Sequence, residues 1–186
     1  RFALSGLFAT MGFGLPAGMA GALSVPDSQA WSFSGDGGFA MVAPDIITEA
    51  RYGLPVINVI FSNQRFGFIY REQVDTKQHL YGVDLTDADW AKVADGLGGI
   101  GFTVQNNQEV EEVFDQIKAL QAKGNKRPIV VNAVIKNDDP IGTAYMPLDP
   151  KLYGQEAVDA YAKANHIDIE KQPSLGALLR AQGDQL

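Results

Sequence analysis

An aspartate set among glycines, Ser34-Gly35-Asp36-Gly37-Gly38, and an asparagine twenty-seven residues further on, Asn63, are the residues best suited to chemistry here. An apolar run at 31–34 leads into the Gly-Asp-Gly-Gly turn, and a second at 56–62 leads into Asn63. Each polar group therefore falls at the carboxyl end of a predicted strand. In an open parallel sheet, that edge is where ligands bind. A carboxylate and an amide oxygen side by side, beside glycines with exposed backbone N–H groups, suit a magnesium ion carrying a diphosphate. Either residue alone reads equally well as a turn former. The pair carries more, because consecutive strands of such sheets are usually neighbours.

Other chemical signals are weaker. Gly12-Phe13-Gly14 with Gly18 is one residue too long for the dinucleotide fingerprint, and no clear strand precedes it. Those glycines are read instead as allowing close helix packing and close approach of backbone to a ligand. Met11 taken alone is core filling, and Glu72 taken alone is a solvated charge. His79 and His166 have no metal-type spacing and are read as surface residues. No Ser/His/Asp or Cys/His arrangement emerges. The absence of cysteine excludes disulfides, thiol nucleophiles and zinc–sulfur sites.

The elements that must position Asp36 and Asn63 follow from the pattern. Predicted strands cover 30–34, 56–61, 101–105 and 128–135; the second and fourth are apolar runs rich in Val and Ile, each crossed by one asparagine, as for strands buried on both faces. Predicted helices cover 7–23, 44–51, 89–97 and 110–122, and Gly124 ends the last of these. Residues 66–73 form a short segment near the site. Alternation of this kind predicts an α/β fold, a doubly wound and mostly parallel sheet with helices on both faces. Residues 1–136 are assigned to that domain. Residues 137–186 are read as a proline-rich connector and a helical tail packing on it, with helices at 154–164 and 175–181.

The 186 residues suffice for one well-buried domain and a little more. A formal charge of −7 argues against nucleic acid or an anionic membrane as the main partner. It leaves room for a phosphorylated small molecule, which backbone N–H groups and a metal can bind. No stretch reaches the roughly 18 apolar residues of a membrane span. A cytoplasmic location fits. The start, Arg1-Phe2-Ala3, is not an initiator end, and the chain is expected to be a fragment of a longer protein.

At this point the sequence resembles the thiamine-diphosphate-dependent decarboxylases, and most closely the bacterial pyruvate oxidases. Gly35-Asp36-Gly37 followed by Asn63 looks like their cofactor signature. Leu7 to Gly12, Tyr52 to Val59, Phe66-Gly67-Phe68-Ile69 with Glu72-Gln73, and Asp87-Ala88-Asp89 look specifically like the oxidase branch. The resemblance spans essentially the whole chain. It implies that Asp36 and Asn63 bind magnesium through their side chains and Arg65 through its carbonyl. Gly35, Gly37 and Gly38 would lie at the diphosphate, the last two presenting N–H groups. Met11 would sit beneath the bent cofactor, and the backbone of Ala9 and Met11 would bond its aminopyrimidine ring. Phe66 and Gly67 would form the turn beside the diphosphate, and Phe68 and Glu72 would face the substrate. Arg65-Phe66 departs from the Gln-Tyr often found in related oxidases, with little effect expected on metal binding.

The resemblance also implies the reaction. A thiamine diphosphate ylid decarboxylates pyruvate, electrons pass to FAD and then to oxygen, and phosphate captures the acetyl group as acetyl phosphate. In that family the FAD domain, and a domain of a partner subunit that activates the cofactor, precede this region. The chain is therefore expected to be half of a shared site, inactive alone, in a homodimer or homotetramer. The tail at 151–186 would cover the active-site entrance. An acetolactate synthase or a quinone-linked pyruvate dehydrogenase would use the same metal site. A non-catalytic diphosphate or nucleotide module, or a structural domain in which Gly-Asp-Gly is only a turn, are the readings from other classes.

Overall fold

The two runs richest in Val and Ile become the central strands of a four-stranded parallel sheet. In the computed structural model, β1 is Trp31–Gly35, β2 Ile57–Ser62, β3 Ile100–Val104 and β4 Ile129–Val134. Their order is β1-β2-β4-β3, and every pairing is parallel. The structure describes residues 1–136, 148–164 and 167, with Asp75 described by its backbone alone. The chain divides into two compact units, Arg1–Pro140 and Ile141–Leu186.

Helices cover both sheet faces, as the alternation predicts. On one face α6 (Asn107–Ala122) sets Val113 and Ile117 against Ile57, Val59, Ile129 and Val131. On the other, α1 (Gly14–Ser24), α2 (Asp36–Ala40), α3 (Ile46–Tyr52) and α5 (Trp90–Gly96) bury Leu15, Phe39, Ile46 and Ala94 against Ile60 and Val130. Full burial of each such side chain contributes roughly 1.5–3 kcal/mol. Two glycines of α1, Gly14 and Gly18, serve its packing. A Cβ at Gly14 would fall 2.9 Å from the Phe33 carbonyl oxygen, and one at Gly18 would fall 2.9 Å from Val56 Cγ1.

Several elements differ from the sequence expectation. The first helix starts at Gly14 rather than at residue 7, because Ala9 (φ 48°) and Gly12 (φ 81°) are left-handed and no helix runs through them. Pro16 then sits in the first turn, where its missing N–H has no helical partner to lose. The helix expected at 44–51 opens as a 3₁₀ turn, Ala43–Asp45, before α3. The last amphipathic helix begins at Asn107, three residues early. Asn106 Oδ1 accepts the Glu109 N–H at 3.0 Å, and Glu109 Oε2 accepts the Gln105 N–H at 2.7 Å. The segment near the site is a full helix, α4 (Gly67–Asp75).

The second unit holds α7 (Pro150–Tyr153), capped by the Asp149 carboxylate on the Lys151 N–H at 3.0 Å, and α8 (Gln155–Ala164). Gly154 joins them at a φ of 79°. The connector at 137–147 and the helix expected at 175–181 lie outside the described residues. Among the described residues, no helix is long and apolar enough to cross a membrane.

Candidate functional site

β1 and β2 run side by side in register, with Ser34 opposite Ile60 and Gly35 opposite Phe61. Their carboxyl ends therefore bring the Gly-Asp-Gly-Gly turn and the Asn63 turn together. Asp36 is 4% exposed and opens the short helix α2. Its Oδ1 accepts the Gly37 N–H at 2.8 Å, and its Oδ2 accepts the Gln64 N–H at 2.6 Å. Asn63 Oδ1 accepts the Arg65 N–H at 3.2 Å, closing the turn on itself. Gln64 between them is left-handed, φ 57°, which aims its N–H back at β1.

A strap from the far side holds this turn. Phe66 N–H donates to the Val83 carbonyl and Leu85 N–H to the Gln64 carbonyl, both at 2.8 Å. The Arg65 guanidinium bonds Asp84 at 2.8 Å through Nη2 and 2.9 Å through Nε, and lies 4.2 Å from the Tyr70 ring centroid. Phe66 then presses on the glycine turn: a Cβ at Gly37 would stand 2.4 Å from Phe66 Cε1 and 3.1 Å from Leu85 Cδ1.

These residues fit a magnesium-bound diphosphate. The bonds to the buried Asp36 carboxylate come from two backbone N–H groups rather than from a lysine or arginine, and each oxygen has a further lone pair. A carboxylate and an amide oxygen are hard donors of the kind magnesium takes. Among the described residues no three His, Cys, Asp or Glu side chains gather, so the alternative of a zinc-type cluster finds no ligands there. Gly35 adds a second observation. Its φ of −73° suits any residue, and no atom lies within 4 Å of where its Cβ would stand. Nothing in the packing of this chain requires glycine there; the open space lies at the strand end beside Asp36.

The remaining candidate residues are placed as follows. Gly12 abuts Gly38, with 3.2 Å from its Cβ position to the Gly38 carbonyl oxygen, so the turn carrying Ala9 and Met11 reaches the start of α2. Met11 is 45% exposed. Gly67 opens α4, where Phe68 (75% exposed) and Glu72 are spaced four apart and so share a face. Glu72 also borders a hollow with Ile69, Gln73, Thr76 and Gln78. The Gly37 N–H, expected to point at the diphosphate, goes to Asp36 Oδ1.

Sequence reasoning missed three participants. Gln64 holds Asp36 through its backbone, and Asp84 anchors Arg65; neither leaves a motif. The third is Glu49, fully buried on α3. Burial pushes its carboxyl up from 4.5 to about 8, assisted by the charge of Asp45 and opposed by a hydrogen bond from Asn58. Its signal in the sequence was faint: a glutamate between Ile46 and Ala50 on the apolar side of a helix.

Residues 1–133 match the profile of the thiamine pyrophosphate enzyme family, C-terminal TPP binding domain. The chain belongs to this family. It is 38% identical over 162 residues to the pyruvate oxidase of Lactiplantibacillus plantarum, covering 87% of this chain and 26% of that protein. It is 36% identical over 183 residues to a putative thiamine pyrophosphate-containing protein of Bacillus subtilis, covering 96% of this chain and 30% of that one. An acetolactate synthase of Mycobacterium leprae is 30% identical over 140 residues, covering 72% of this chain and 22% of that enzyme. The chain thus spans 26% of the length of the first of these relatives and 30% of the second. Among solved structures, a thiamine diphosphate-dependent 4-hydroxybenzoylformate decarboxylase of Rhodococcus jostii shares the fold. Its TM-score is 0.59 at 24% identity, over 70% of this chain and 24% of that one.

Proposed function

We propose that this chain is the magnesium-and-diphosphate-binding part of a thiamine-diphosphate-dependent pyruvate oxidase. The reaction is oxidative decarboxylation of pyruvate with phosphate and oxygen to acetyl phosphate, carbon dioxide and hydrogen peroxide. The observation that carries the reading is the Asp36–Gln64 hydrogen bond across the ends of β1 and β2, which brings the Asn63 turn to the buried carboxylate. The 38% identity to a pyruvate oxidase supports the choice within the family.

In this reading Asp36, Asn63 and the Arg65 carbonyl hold magnesium. Gly35, Gly37 and Gly38 border the diphosphate, with Phe66 and Gly67 as the turn beside it. The backbone of Ala9 and Met11 receives the pyrimidine end, and Met11 sits under the cofactor. Phe68 and Glu72 face the substrate from one side of α4. When bound, thiamine diphosphate supplies the carbanion and the electron sink for loss of carbon dioxide from a 2-oxo acid. The residues of this chain orient the cofactor and fix its charge in place. FAD, and the group that activates the pyrimidine, come from further domains and from a partner subunit of a cytoplasmic homo-oligomer.

Acetolactate synthase is the second reading, favoured by the 30% identity to such an enzyme. The parent enzyme supplied with pyruvate, phosphate and oxygen distinguishes them: acetyl phosphate and peroxide support the oxidase, and acetolactate overturns it. For the site itself, titration calorimetry with thiamine diphosphate and with ADP, each with magnesium, is the test. Selective heat from thiamine diphosphate supports the site. Equal affinity for ADP would make it a general diphosphate module.

A further inference from the structure

Glu49, Asn58 and Ser32 lie on α3, β2 and β1 and form one chain of hydrogen bonds. Ser32 Oγ–H donates to Asn58 Oδ1 at 2.8 Å, and Asn58 Nδ2–H donates to Glu49 Oε2 at 2.9 Å. All three residues are buried. Ser32 and Asn58 are register partners across the strand pair. Asp36 follows Ser32 by four residues, and Asn63 follows Asn58 by five. The chain therefore fixes the two strands just before the ends that carry the candidate oxygens.

This arrangement requires a neutral carboxyl. Among the described residues, Glu49 Oε1 is buried without a hydrogen-bond partner. The charge that acts on Glu49 is negative, from Asp45 in the preceding 3₁₀ turn. Arg51, two residues on, lies against the Tyr52 ring, and the strand partner of Glu49 is the uncharged Asn58, itself bonded to Ser32. A carboxylate here would be an uncompensated buried charge. A carboxylic acid leaves Oε2 to accept from Asn58 with the proton on Oε1.

We propose that Glu49 is a positioning residue of the cofactor site: as a neutral acid it locks β2 to β1 through Asn58 and Ser32, and so sets Asp36 against the Asn63 turn. The proposal rests on the function proposed above for those oxygens. Ionisation of Glu49 leaves a buried charge with Asn58 as its one donor, and the hydration that this charge draws in loosens the strand ends. Glutamine keeps the acceptor for Asn58 and cannot ionise.

The test is amide hydrogen exchange on the full chain and its Glu49→Gln variant, from about pH 6 to about pH 9.5. The reporters are the Gly37 and Gln64 N–H groups, both donors to Asp36, with the β4 amides as reference. In the wild type, protection at the reporters falls by up to about tenfold per pH unit as pH rises to about 8 and levels off above it, and the β4 amides, which open with the whole fold, follow the linked loss of stability; in Glu49→Gln both stay flat. Identical profiles in the two proteins overturn the proposal. So does an affinity for magnesium–thiamine diphosphate that holds across the range while the reporters and β4 lose protection together, which would make Glu49 a determinant of global stability only. Magnesium–thiamine diphosphate affinity over the same range falls in the wild type and stays flat in the variant. If neither protein binds the cofactor at any pH, the functional reading fails, while the exchange profiles still decide the lock.

Discussion

The carboxylate of Asp36, at the end of one strand, accepts the backbone N–H of Gln64, just past the end of the next, at 2.6 Å. The bond crosses from β1 to the loop after β2 and spans 28 residues of chain. It ties a side chain that any sequence scan would notice to a backbone group that none would. Gln64 makes the bond from a left-handed conformation, φ 57°.

Replacement of Asp36 by alanine removes a charged acceptor and the candidate metal oxygen together. Magnesium-dependent affinity for thiamine diphosphate should fall by roughly 2–3 kcal/mol, on the order of a hundredfold. Isothermal calorimetry on wild type and Asp36→Ala measures this. Unchanged affinity would return the Gly-Asp-Gly turn to a purely structural role.

Gly35 and Gly37 should respond in opposite ways. Gly35→Ala meets open space at an ordinary φ, so the denaturation midpoint should hold while cofactor affinity drops. Gly37→Ala drives a Cβ into the Phe66 ring and should cost about 1–3 kcal/mol of stability. Urea titrations of the two variants, paired with calorimetry, separate space kept for a ligand from space kept for a neighbour.

Stability should decline with rising pH through Glu49. Its folded-state carboxyl lies at about 8 against an ordinary 4.5, raised by burial. The folded protein therefore holds a proton that the unfolded chain releases above about 4.5. The contribution is fully present below that value and is lost as pH rises through about 8, at about 1.4 kcal/mol per pH unit across the window. Denaturant midpoints of wild type and Glu49→Gln between about pH 4 and about pH 9.5 test this; a wild-type slope that survives in Glu49→Gln would count against it.

The Arg65–Asp84 pair should matter little energetically. Asp84 is largely exposed, and pairs of this kind contribute about 1 kcal/mol or less. Two backbone bonds hold the same turn without it. Arg65→Gln should therefore change magnesium affinity only a few-fold, since the proposed ligand is the carbonyl. A loss comparable to that of Asp36→Ala would mean that the guanidinium itself meets the cofactor.

The chain alone should not turn over pyruvate. The reading gives it the anchor for the cofactor and leaves FAD and the activating group to other domains. A peroxide assay on the purified chain with pyruvate, phosphate, thiamine diphosphate, magnesium and FAD should read background. Pyruvate-dependent peroxide would sink that division of labour.

Much of this was legible in the sequence, because it rests on local chemistry. The Val- and Ile-rich runs at 56–62 and 128–135 marked the central strands, as short β-branched runs of this kind suit strands buried on both faces. Glycine flanking Asp36 and the distance to Asn63 marked two turns at strand ends, and the alternation of elements made neighbours of them. What the tertiary structure alone decided are the relations between residues far apart in the chain. The left-handed backbone at Ala9 and Gln64 has no sequence signature, because neither residue type favours it. It is imposed where Gly12 meets Gly38 and where Gln64 meets Asp36 and Leu85. The burial of Glu49 was likewise invisible. A glutamate on a helix is ordinarily solvated, and only the packing of α3 over Asn58 and Ser32 takes it out of water and makes it an acid.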